Sequence, residues 1–382
     1  MISFFFRTFF FLCLASKEKR KYKHKYTKQI HSIKYYILLN EYSMLKSFYK
    51  KGVCMLNKTI TILESSRIFS LPMTILSWLV VFVYGLIDSG NIFYGLIAFL
   101  GLCFAHLGTN LLDDFFDYKS LIKQVDFDKS EYLKCSQKTK CRYLISGLLK
   151  ESQVLIAAGV YFALALLSGF FLFIKCGIGV VYFALAGALI AVLYPFISRF
   201  CLSELAVGLA YGPALFGGVY YVMTGTYSNE VFWLCLPTMF MTIVLLYIHT
   251  VMDYDYDLAE GKFTIANRFD SQLDSLIVLK VLFVLAYLSL ILLCVLDILD
   301  WQVFIVYLTL PLAKDLYDSI AQYVSAPESL PKKKWYHFPM EKIDFFIERG
   351  EGAFMFRMLQ TRNLMIYFSL LLLVSILFGL VF

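Results

Sequence analysis

Acidic side chains recur at helical spacing where a long apolar stretch of the sequence ends. The stretch reads NLLDDFFD, and its polar members are separated by steps of three and four residues: Asn110, Asp113, Asp114 and Asp117. Residues at these steps share one face of a helix, so the pattern groups one amide with three carboxylates. Because an acidic side chain at membrane depth costs roughly 2.5 to 3.5 kcal/mol, such a cluster is typical of a functional cavity.

A second acidic cluster follows another apolar stretch about 140 residues later. Asp253 and Asp257 are four residues apart and share a face with His249, whereas Asp255 points elsewhere. Two sets of carboxylates suit a hard divalent cation, and Mg²⁺ is usually held by one or two carboxylates together with substrate phosphate oxygens. The chemistry that this favours is loss of a diphosphate whose developing charge the metal neutralises. The structural alternative is that these acids pair with Lys and Arg at solvated helix ends.

Basic residues near the two clusters are candidate phosphate ligands. The stretch EGKFTIANR after the second cluster contains Lys262, a compact positive charge, and Arg268, which can bind phosphate in bidentate fashion. Arg67 precedes the first apolar span, and Arg142 lies in the loop after the first cluster. Each of these single cations at a helix end also fits a role in membrane topology alone, and both interpretations stay open.

The composition predicts the elements that position these residues. Of the 382 residues, 60% are hydrophobic and only 16% are charged, against about 25% charged in soluble domains. The chain is therefore expected to be an all-α integral membrane protein with about nine transmembrane helices. Runs of spanning length cover residues 71–87, 92–112, 153–174, 177–197, 203–224, 231–251, 273–296, 301–316 and 363–382.

The distribution of Lys and Arg predicts the orientation. The loops after the odd-numbered spans before the last contain only Lys175, whereas the N-terminus and the other loops carry most of the positive charge. Positive loops stay in the cytoplasm, so both acidic clusters should open on the cytoplasmic side of the membrane. We expect this to be the bacterial inner (plasma) membrane.

The chain divides into a tail and a membrane domain. Residues 1–54 contain twelve Lys or Arg against two Glu, and we expect a disordered basic extension. Its basic run suits RNA or anionic lipid, but fixing topology is the simpler explanation, so no nucleic-acid partner is expected. Residues 55–382 form the polytopic domain, with a cytoplasmic loop at about 317–362. The nine scattered cysteines fit small apolar core positions better than disulfides or metal ligands.

The motifs resemble those of a known superfamily. N-x-x-D-D-x-x-D from Asn110, followed by D-x-x-x-D-x-x-x-G-K-x-T-x-A-x-R from Asp253, is similar to the UbiA-type intramembrane aromatic prenyltransferases. The stretch Ser203–Gly225 resembles the fifth helix of the branch that prenylates 1,4-dihydroxy-2-naphthoate in menaquinone synthesis. The likeness extends over about residues 56–315 and the last helix.

This resemblance implies a fold and a site. It implies nine transmembrane helices around a central cavity in the lipid bilayer, where Mg²⁺ on the acidic motifs holds the diphosphate of a polyprenyl donor. Ionisation would give an allylic cation that an aromatic quinone precursor attacks through ring carbon. Positions that match the motifs are Asn110, Asp114, Asp117, Asp253, Asp257 and Lys262, and Tyr194 corresponds to a cytosolic tyrosine of some members.

The sequence departs from the family pattern at several positions. Asp113 stands where the family has Asn, and the further Asp expected after Asp117 is out of register. Tyr194 is followed by Ser198 and Arg199 rather than by a basic residue four positions on. These departures concern the acceptor more than the diphosphate chemistry.

Other functions remain open from the sequence. The acceptor could instead be 4-hydroxybenzoate, homogentisate, haem or glycerol phosphate. A phosphatidyltransferase that uses CDP-lipids would need a D-G-x-x-A-R element, which the sequence lacks. A transporter with a proton or cation relay is the alternative outside enzymes, although relay carboxylates tend to lie near mid-span, whereas these lie at helix ends.

Overall fold

The apolar stretches of the sequence fold into long helices, as predicted. A computed structural model describes residues 58–124, 127–134, 141–197, 200–259 and 264–379, and these ranges contain helices and no strands. The described helices from Ile68 onward belong to one compact unit, Ile62–Phe382. The predicted basic extension, residues 1–54, lies outside the described residues. The all-α fold class is therefore confirmed.

Nine long helices follow one another along the described residues. They are α1 (Pro72–Ile87), α2 (Ile92–Leu121), α3 (Glu151–Cys176), α4 (Gly179–Ile197), α5 (Ser203–Thr224), α6 (Asn229–Met252), α7 (Gln272–Val295), α8 (Leu310–Ser325) and α9 (Gly352–Phe378). Seven, with α1 counted from Ile68, are long and apolar enough to cross a membrane. The described apolar part of α4, Gly179–Ala191, is shorter, and α8 follows a 3-10 helix over Trp301–Thr309. The predicted count of nine spans is therefore not confirmed.

Two helices are longer than hydropathy predicts. α2 continues to Leu121, nine residues beyond the predicted end at 112, so the first acidic cluster lies on the helix itself. α8 ends at Ser325 and α9 begins at Gly352, so the connection between them is residues 326–351 rather than 317–362. Polar side chains interrupt the first turns of α9, which is why an apolar-run criterion misses them, but Arg357, Gln360 and Thr361 are buried there.

Local sequence explains where several helices begin and end. The side chain of Asn91 accepts a hydrogen bond from the amide of Tyr94 at the start of α2, and Ser271 does the same for Asp274 at the start of α7. α3 ends at Gly177, whose φ of 85° is readily adopted only by glycine. These capping bonds satisfy amide groups that the helix itself leaves unpaired.

Helix α5 is interrupted at its centre. Residues Ala210–Ala214 form a π turn that contains Pro213, and Gly212 has non-helical φ and ψ values of −90° and −108°. Proline lacks an amide hydrogen and its ring clashes with the preceding turn, which explains the local change of helix geometry. Tyr211 is one of the residues of this turn.

Hydrogen bonds between helix ends establish which ends lie together. The amide of Asn91 donates to the carbonyl of Met223 (2.7 Å), which joins the start of α2 to the end of α5. Tyr84 donates to the carboxylate of Glu230 (2.7 Å), which joins the end of α1 to the start of α6. Because α5 packs against both α2 and α6, these four helix ends lie together at one end of the bundle. The start of α1, the end of α2, the start of α5 and the end of α6 therefore lie at the opposite end of the bundle.

The C-terminal connection, residues 326–351, is fastened to α9 by a fully buried arginine. Arg357 donates from Nε to the carbonyl of Ser319 (2.8 Å) and from Nη1 to the carbonyl of Ser329 (2.9 Å). Asn363 donates to the carbonyls of His337 and Pro339, both at 2.7 Å. These bonds hold the connection against α9, so it is an ordered part of the fold.

Candidate active site

The polar face of α2 lies against the turn that precedes α1. The Nδ2 of Asn110 donates to the carbonyl of Ser66 (3.0 Å) and to the Oγ of Ser70 (3.2 Å). One turn further along α2, Asp114 is buried, with 6% of its surface exposed, and Asp113 is partly exposed. The structure therefore directs these predicted residues toward one neighbouring segment, as their helical spacing indicates.

Arg67 is the residue of that turn that meets the acidic cluster. Its Nη2 contacts Oδ1 of Asp114 and lies 3.5 Å from Oδ2 of Asp113. Burial alone would lower the pKa of the guanidinium, but the carboxylates of Asp114 and Asp113 outweigh this effect and raise it. Asp117 acts on the pKa in the same direction. Of the two cations predicted around the first cluster, the structure brings Arg67 into direct contact with it.

The backbone of Arg67 is in the left-handed conformation, with φ 57° and ψ 49°. A 3-10 turn over Ile68–Ser70 follows it and leads into α1. The left-handed region is unfavourable for residues with a side chain, and such residues cluster at functional sites. Sequence reasoning has no signal for this conformation.

The second acidic cluster lies at the end of α6. Asp253 is the residue after the helix, and its Oδ2 lies 3.0 Å from Nδ1 of His249, which confirms that the two share a face. The amide of Asp257 donates to the carbonyl of Asp253 (2.8 Å), so the two carboxylates are one turn apart. Asp257 is buried and Asp255 is exposed, as the predicted difference in direction requires.

Both clusters belong to the same end of the helix bundle. Asp114 and Asp117 are on the last turns of α2, and Asp253 follows α6. Those two helix ends lie together at the end of the bundle opposite to Asn91 and Glu230. Two carboxylate sets about 140 residues apart in sequence thus lie at the same end of the bundle.

The other predicted basic and aromatic residues have different surroundings. Arg142 donates from Nη2 to the carbonyl of Leu133 (2.7 Å), within the segments that follow α2. Arg268 donates from Nε to Sγ of Cys201 (3.0 Å), just before α5. Tyr194 lies on α4, where its side chain is not described, and Lys262 lies outside the described residues.

The loop after α2 folds back onto the acidic cluster. Cys141 is buried and its thiol donates to the backbone carbonyl of Asp114 (3.1 Å). The cysteines in the described part of the chain are free, in agreement with their interpretation as small core residues. Cys135, the other cysteine of this loop, lies outside the described ranges.

Glu204 is a buried carboxylate that sequence reasoning missed. Only 2% of its surface is exposed, and it accepts hydrogen bonds from Ser203 Oγ (2.8 Å) and from Thr250 Oγ1 (3.1 Å). Thr250 is three residues before Asp253, so Glu204 joins the start of α5 to the end of α6 beside the second cluster. The only signal in the sequence is a single acid at the start of an apolar run.

The chemistry of the donors fits a hard divalent cation. Carboxylate oxygens are the ligands that Mg²⁺ prefers, and it normally completes its shell with water and substrate phosphate oxygens. Within the described ranges, no three His, Cys, Asp or Glu side chains form a closed metal-binding group by themselves. Carboxylates at this end of the bundle therefore suit a Mg²⁺ ion whose remaining ligands are water and phosphate oxygens.

Comparison with known proteins gives the family. The sequence model of the UbiA prenyltransferase family matches residues 53–340 of this chain. No curated protein matches the sequence.

Two solved structures have a similar fold. A structure described as "Structural and mechanistic insights into the biosynthesis of Digeranylgeranylglyceryl phosphate synthase in membranes" is 16% identical, with a TM-score of 0.51. The matched region covers 84% of this chain and 99% of the other chain. A UbiA homolog from Aeropyrum pernix K1, in its apo form, is 13% identical with a TM-score of 0.50 over 78% of this chain and 96% of its own. At these identities the likeness concerns the fold alone.

Proposed function

Because the chain belongs to the UbiA prenyltransferase family, we propose that it transfers a polyprenyl group from polyprenyl diphosphate to an aromatic acceptor. The first candidate acceptor is 1,4-dihydroxy-2-naphthoate, the precursor of menaquinone. One observation above all supports this proposal: two sets of carboxylates lie at the same end of the helix bundle, and an arginine contacts one of them.

The carboxylates are the proposed metal ligands. When bound, Mg²⁺ supplies the positive charge that stabilises a departing diphosphate. The residues proposed to hold it share an oxygen-donor side chain and a position at this end of the bundle: Asp113, Asp114, Asp117, Asp253 and Asp257. Asp113 adds a carboxylate where the family pattern has Asn.

Cationic side chains are proposed to bind the diphosphate itself. Arg67 has a planar guanidinium that can donate two parallel hydrogen bonds to phosphate oxygens. Lys262 and Arg268 follow the second cluster in the sequence, and Arg142 follows the first, so we assign all three to the same ligand. These side chains bind and orient the leaving group.

The proposed reaction exchanges one bond for another. The bond between the allylic carbon and the diphosphate oxygen breaks, and its electron pair leaves with the diphosphate. A ring carbon of the acceptor then donates an electron pair to the allylic carbon, and the ring regains aromaticity when that carbon loses its proton or, where it bears a carboxylate, loses CO₂; the electron pair of the broken bond returns to the ring. Asn110 and Tyr194 are assigned to substrate binding, and buried aromatic side chains can stabilise the cation through their ring faces.

The choice of acceptor rests on the likeness of Ser203–Gly225 to the naphthoate branch. A glycerol phosphate acceptor is the second candidate, because the similar structure that covers most of this chain is described as a digeranylgeranylglyceryl phosphate synthase. Both candidates require the same diphosphate chemistry. They differ in the nucleophile, which is a ring carbon in one case and a hydroxyl oxygen in the other.

The experiment is an assay of membranes that contain the full chain. Labelled polyprenyl diphosphate and MgCl₂ are supplied with dihydroxynaphthoate, 4-hydroxybenzoate, homogentisate, haem or glycerol phosphate in turn. We expect a labelled, lipid-soluble product with dihydroxynaphthoate, and none with the Asp114→Asn variant. Product with another acceptor alone would replace the branch assignment, and no product with any of the five would contradict prenyl transfer to these acceptors.

The acidic end is proposed to face the cytoplasm of a bacterial plasma membrane. The supporting observation is the excess of Lys and Arg in the N-terminal extension and in the loops on that side. A cysteine that replaces the exposed Lys332 should react with a membrane-impermeant maleimide only after the cells are opened. Labelling in intact cells would reverse the orientation.

A further inference from the structure

A network of polar side chains links α2, the turn before α1 and the π turn of α5. At its centre is His106, whose Nε2 lies 2.8 Å from Oγ of Ser70. Its Nδ1 lies 2.7 Å from the hydroxyl of Tyr211 and 2.6 Å from that of Thr74. His106 is one helical turn before Asn110 on the same face of α2.

The hydrogen bonds of Ser70 determine which imidazole nitrogen carries the proton. The hydroxyl of Ser70 has one hydrogen, which it donates to the carbonyl of Arg67 (2.7 Å). The same oxygen accepts from Nδ2 of Asn110, so toward His106 it offers only a lone pair. Nε2 of His106 must therefore donate, and Nδ1 is the acceptor for the hydroxyls on its other side.

This assignment uses both nitrogens of His106 in structural hydrogen bonds. A general base needs a free lone pair directed at the proton that it removes. The lone pair of Nδ1 is instead directed at Tyr211 and Thr74. The network therefore gives His106 a structural role rather than that of a general base.

The network fastens both peptide groups that flank the side chain of Arg67. Asn110 holds the carbonyl of Ser66, on its N-terminal side, and Ser70 holds the carbonyl of Arg67 itself. Between them, Arg67 adopts the left-handed conformation, which is unfavourable by itself and persists only when its surroundings hold it. The guanidinium then reaches Asp114 and Asp113.

Tyr211 connects this turn to the centre of the bundle. It lies within the π turn around Pro213, and its ring meets the edge of the His106 ring at a centroid distance of 5.7 Å. Single π turns occur often at functional sites. Here a side chain of the π turn, Tyr211, supplies one of the two hydroxyl contacts to Nδ1 that fix the orientation of the imidazole.

We propose that His106 is a positioning residue: held by Tyr211, it acts through Ser70 to keep Arg67 in the left-handed turn that directs its guanidinium to the diphosphate site. The identity of the ligand rests on the proposed function. The positioning of Arg67 does not, and the test separates the two.

The first arm of the test uses no substrate. The solubilised full chain is treated with phenylglyoxal, and modification of Arg67 is followed by mass spectrometry. We expect Ser70→Ala and His106→Leu to increase its rate roughly tenfold, the change expected on losing one hydrogen bond near a charged group. His106→Gln, whose amide can still donate to Ser70, should stay near the native rate. Equal rates in the native chain and both disrupting variants would overturn the proposal.

Thr109→Ala is the matched control. Thr109 is on the same helix next to Asn110, but its hydroxyl bonds only to the carbonyl of Ala105 in its own helix. The variant should modify at the native rate. Should His106→Leu fail to fold, His106→Asn takes its place, because its shorter amide corresponds to Nδ1 rather than Nε2 and so removes the donor to Ser70 by a smaller substitution; a native rate in His106→Asn would overturn the proposal.

The second arm measures the Kd of an unreactive thiolo analogue of the prenyl diphosphate with MgCl₂. His106→Leu should weaken binding roughly tenfold in the native chain and leave it unchanged in an Arg67→Ala background, because its effect passes through Arg67. An equal loss in both backgrounds would show that His106 acts elsewhere. If the native chain binds no prenyl diphosphate, the proposed function fails while the modification rates still test the positioning.

Discussion

The first acidic cluster and the group around Asp315 both combine carboxylates with basic side chains, but they differ in how the carboxylates are shared. In the first acidic cluster, the carboxylates of Asp113 and Asp114 meet one guanidinium, that of Arg67. In the Asp315 group, the single carboxylate of Asp315 on α8 meets both the ammonium of Lys334 and the imidazole of His337. The first acidic cluster gathers negative charge, whereas the Asp315 group neutralises it.

The Asp315 group joins α8, the C-terminal connection and α9, and it is called the structural joint below. His337 is buried, and its Nδ1 accepts a hydrogen bond from the amide of Lys334 (3.3 Å), so its Nε2 donates to Asp315. Gln360 of α9 donates to the same carboxylate oxygen (3.1 Å). Three segments thus converge on one acid, and this joint helps hold the C-terminal connection in place. A single acid such as Asp315 can thus be structural, and an acid in a helix bundle indicates chemistry when several acids share one face.

The largest expected effect distinguishes the two acidic clusters of the candidate site from the structural joint by enzymatic activity. Asp114→Asn and Asp253→Asn should each lower kcat/KM for prenyl transfer at least about a hundredfold. Each removes a proposed ligand of the Mg²⁺ that stabilises the charge on the departing diphosphate. Asp315→Asn should leave kcat/KM of the folded protein unchanged. Rates are compared per amount of folded protein; near-native turnover in both Asp114→Asn and Asp253→Asn would remove the basis for the metal assignment.

The next effect concerns the shared guanidinium. Arg67→Ala should raise KM for the prenyl diphosphate roughly tenfold or more, since a charge-assisted hydrogen bond is worth about 1.5 to 3 kcal/mol. Arg67→Lys should recover part of this loss, because an ammonium keeps the charge but not the two parallel donors. KM is measured at saturating acceptor. An unchanged KM in Arg67→Ala would mean that this cation only balances the acids.

A smaller effect is expected on stability from the structural joint. Asp315→Asn keeps an acceptor for His337 but loses the charge that Lys334 pairs with, and should lower the free energy of unfolding by about 1 kcal/mol. Lys334→Met breaks the same ion pair from the other side. Since either change alone breaks the pair, the double variant should lose no more stability than the sum of the two single losses. Thermal unfolding in detergent measures this, and an inactive but equally stable Asp315→Asn would reverse the comparison.

The smallest effect is a pH dependence at the edge of the same region. Arg362 donates to the carboxylate of Glu341 (2.6 Å), which lowers the pKa of Glu341. A lowered pKa stabilises the fold above the unfolded value, about 4.3 for Glu, and this contribution is lost as pH falls through the folded value. Because the pair is exposed, Glu341→Gln should cost less than about 1 kcal/mol at pH 7. Unfolding curves at pH 7 and pH 3 should show the gap closing in acid.

Helical spacing predicts much of the first cluster. Steps of three and four residues place Asn110, Asp113 and Asp114 on one face, and the structure directs that face at a single turn. The pairing of His249 with Asp253 follows from the same rule. Local periodicity is enough here because each set lies within two turns of one helix.

Contacts between distant segments account for what the sequence does not reveal. Nothing near Arg67 signals a left-handed backbone, since one of the bonds that hold it comes from Asn110 on α2, about 40 residues later. Arg357 looks like a loop residue by hydropathy, yet it is buried in α9 because the C-terminal connection supplies one of its partners. Burial of Glu204 likewise depends on Thr250 in another helix.

The length of α2 has a consequence for how an amphiphile meets the protein. At 1.5 Å per residue its 30 residues extend about 45 Å, whereas the hydrocarbon of a bilayer is about 30 Å thick. If the helix begins near one hydrocarbon boundary, its last ten residues, with Asp113, Asp114 and Asp117, stand among the headgroups and water. A donor with an oily tail and an anionic head can then dock by sliding along its own leaflet, head at the interface, without ever being extracted from the lipid.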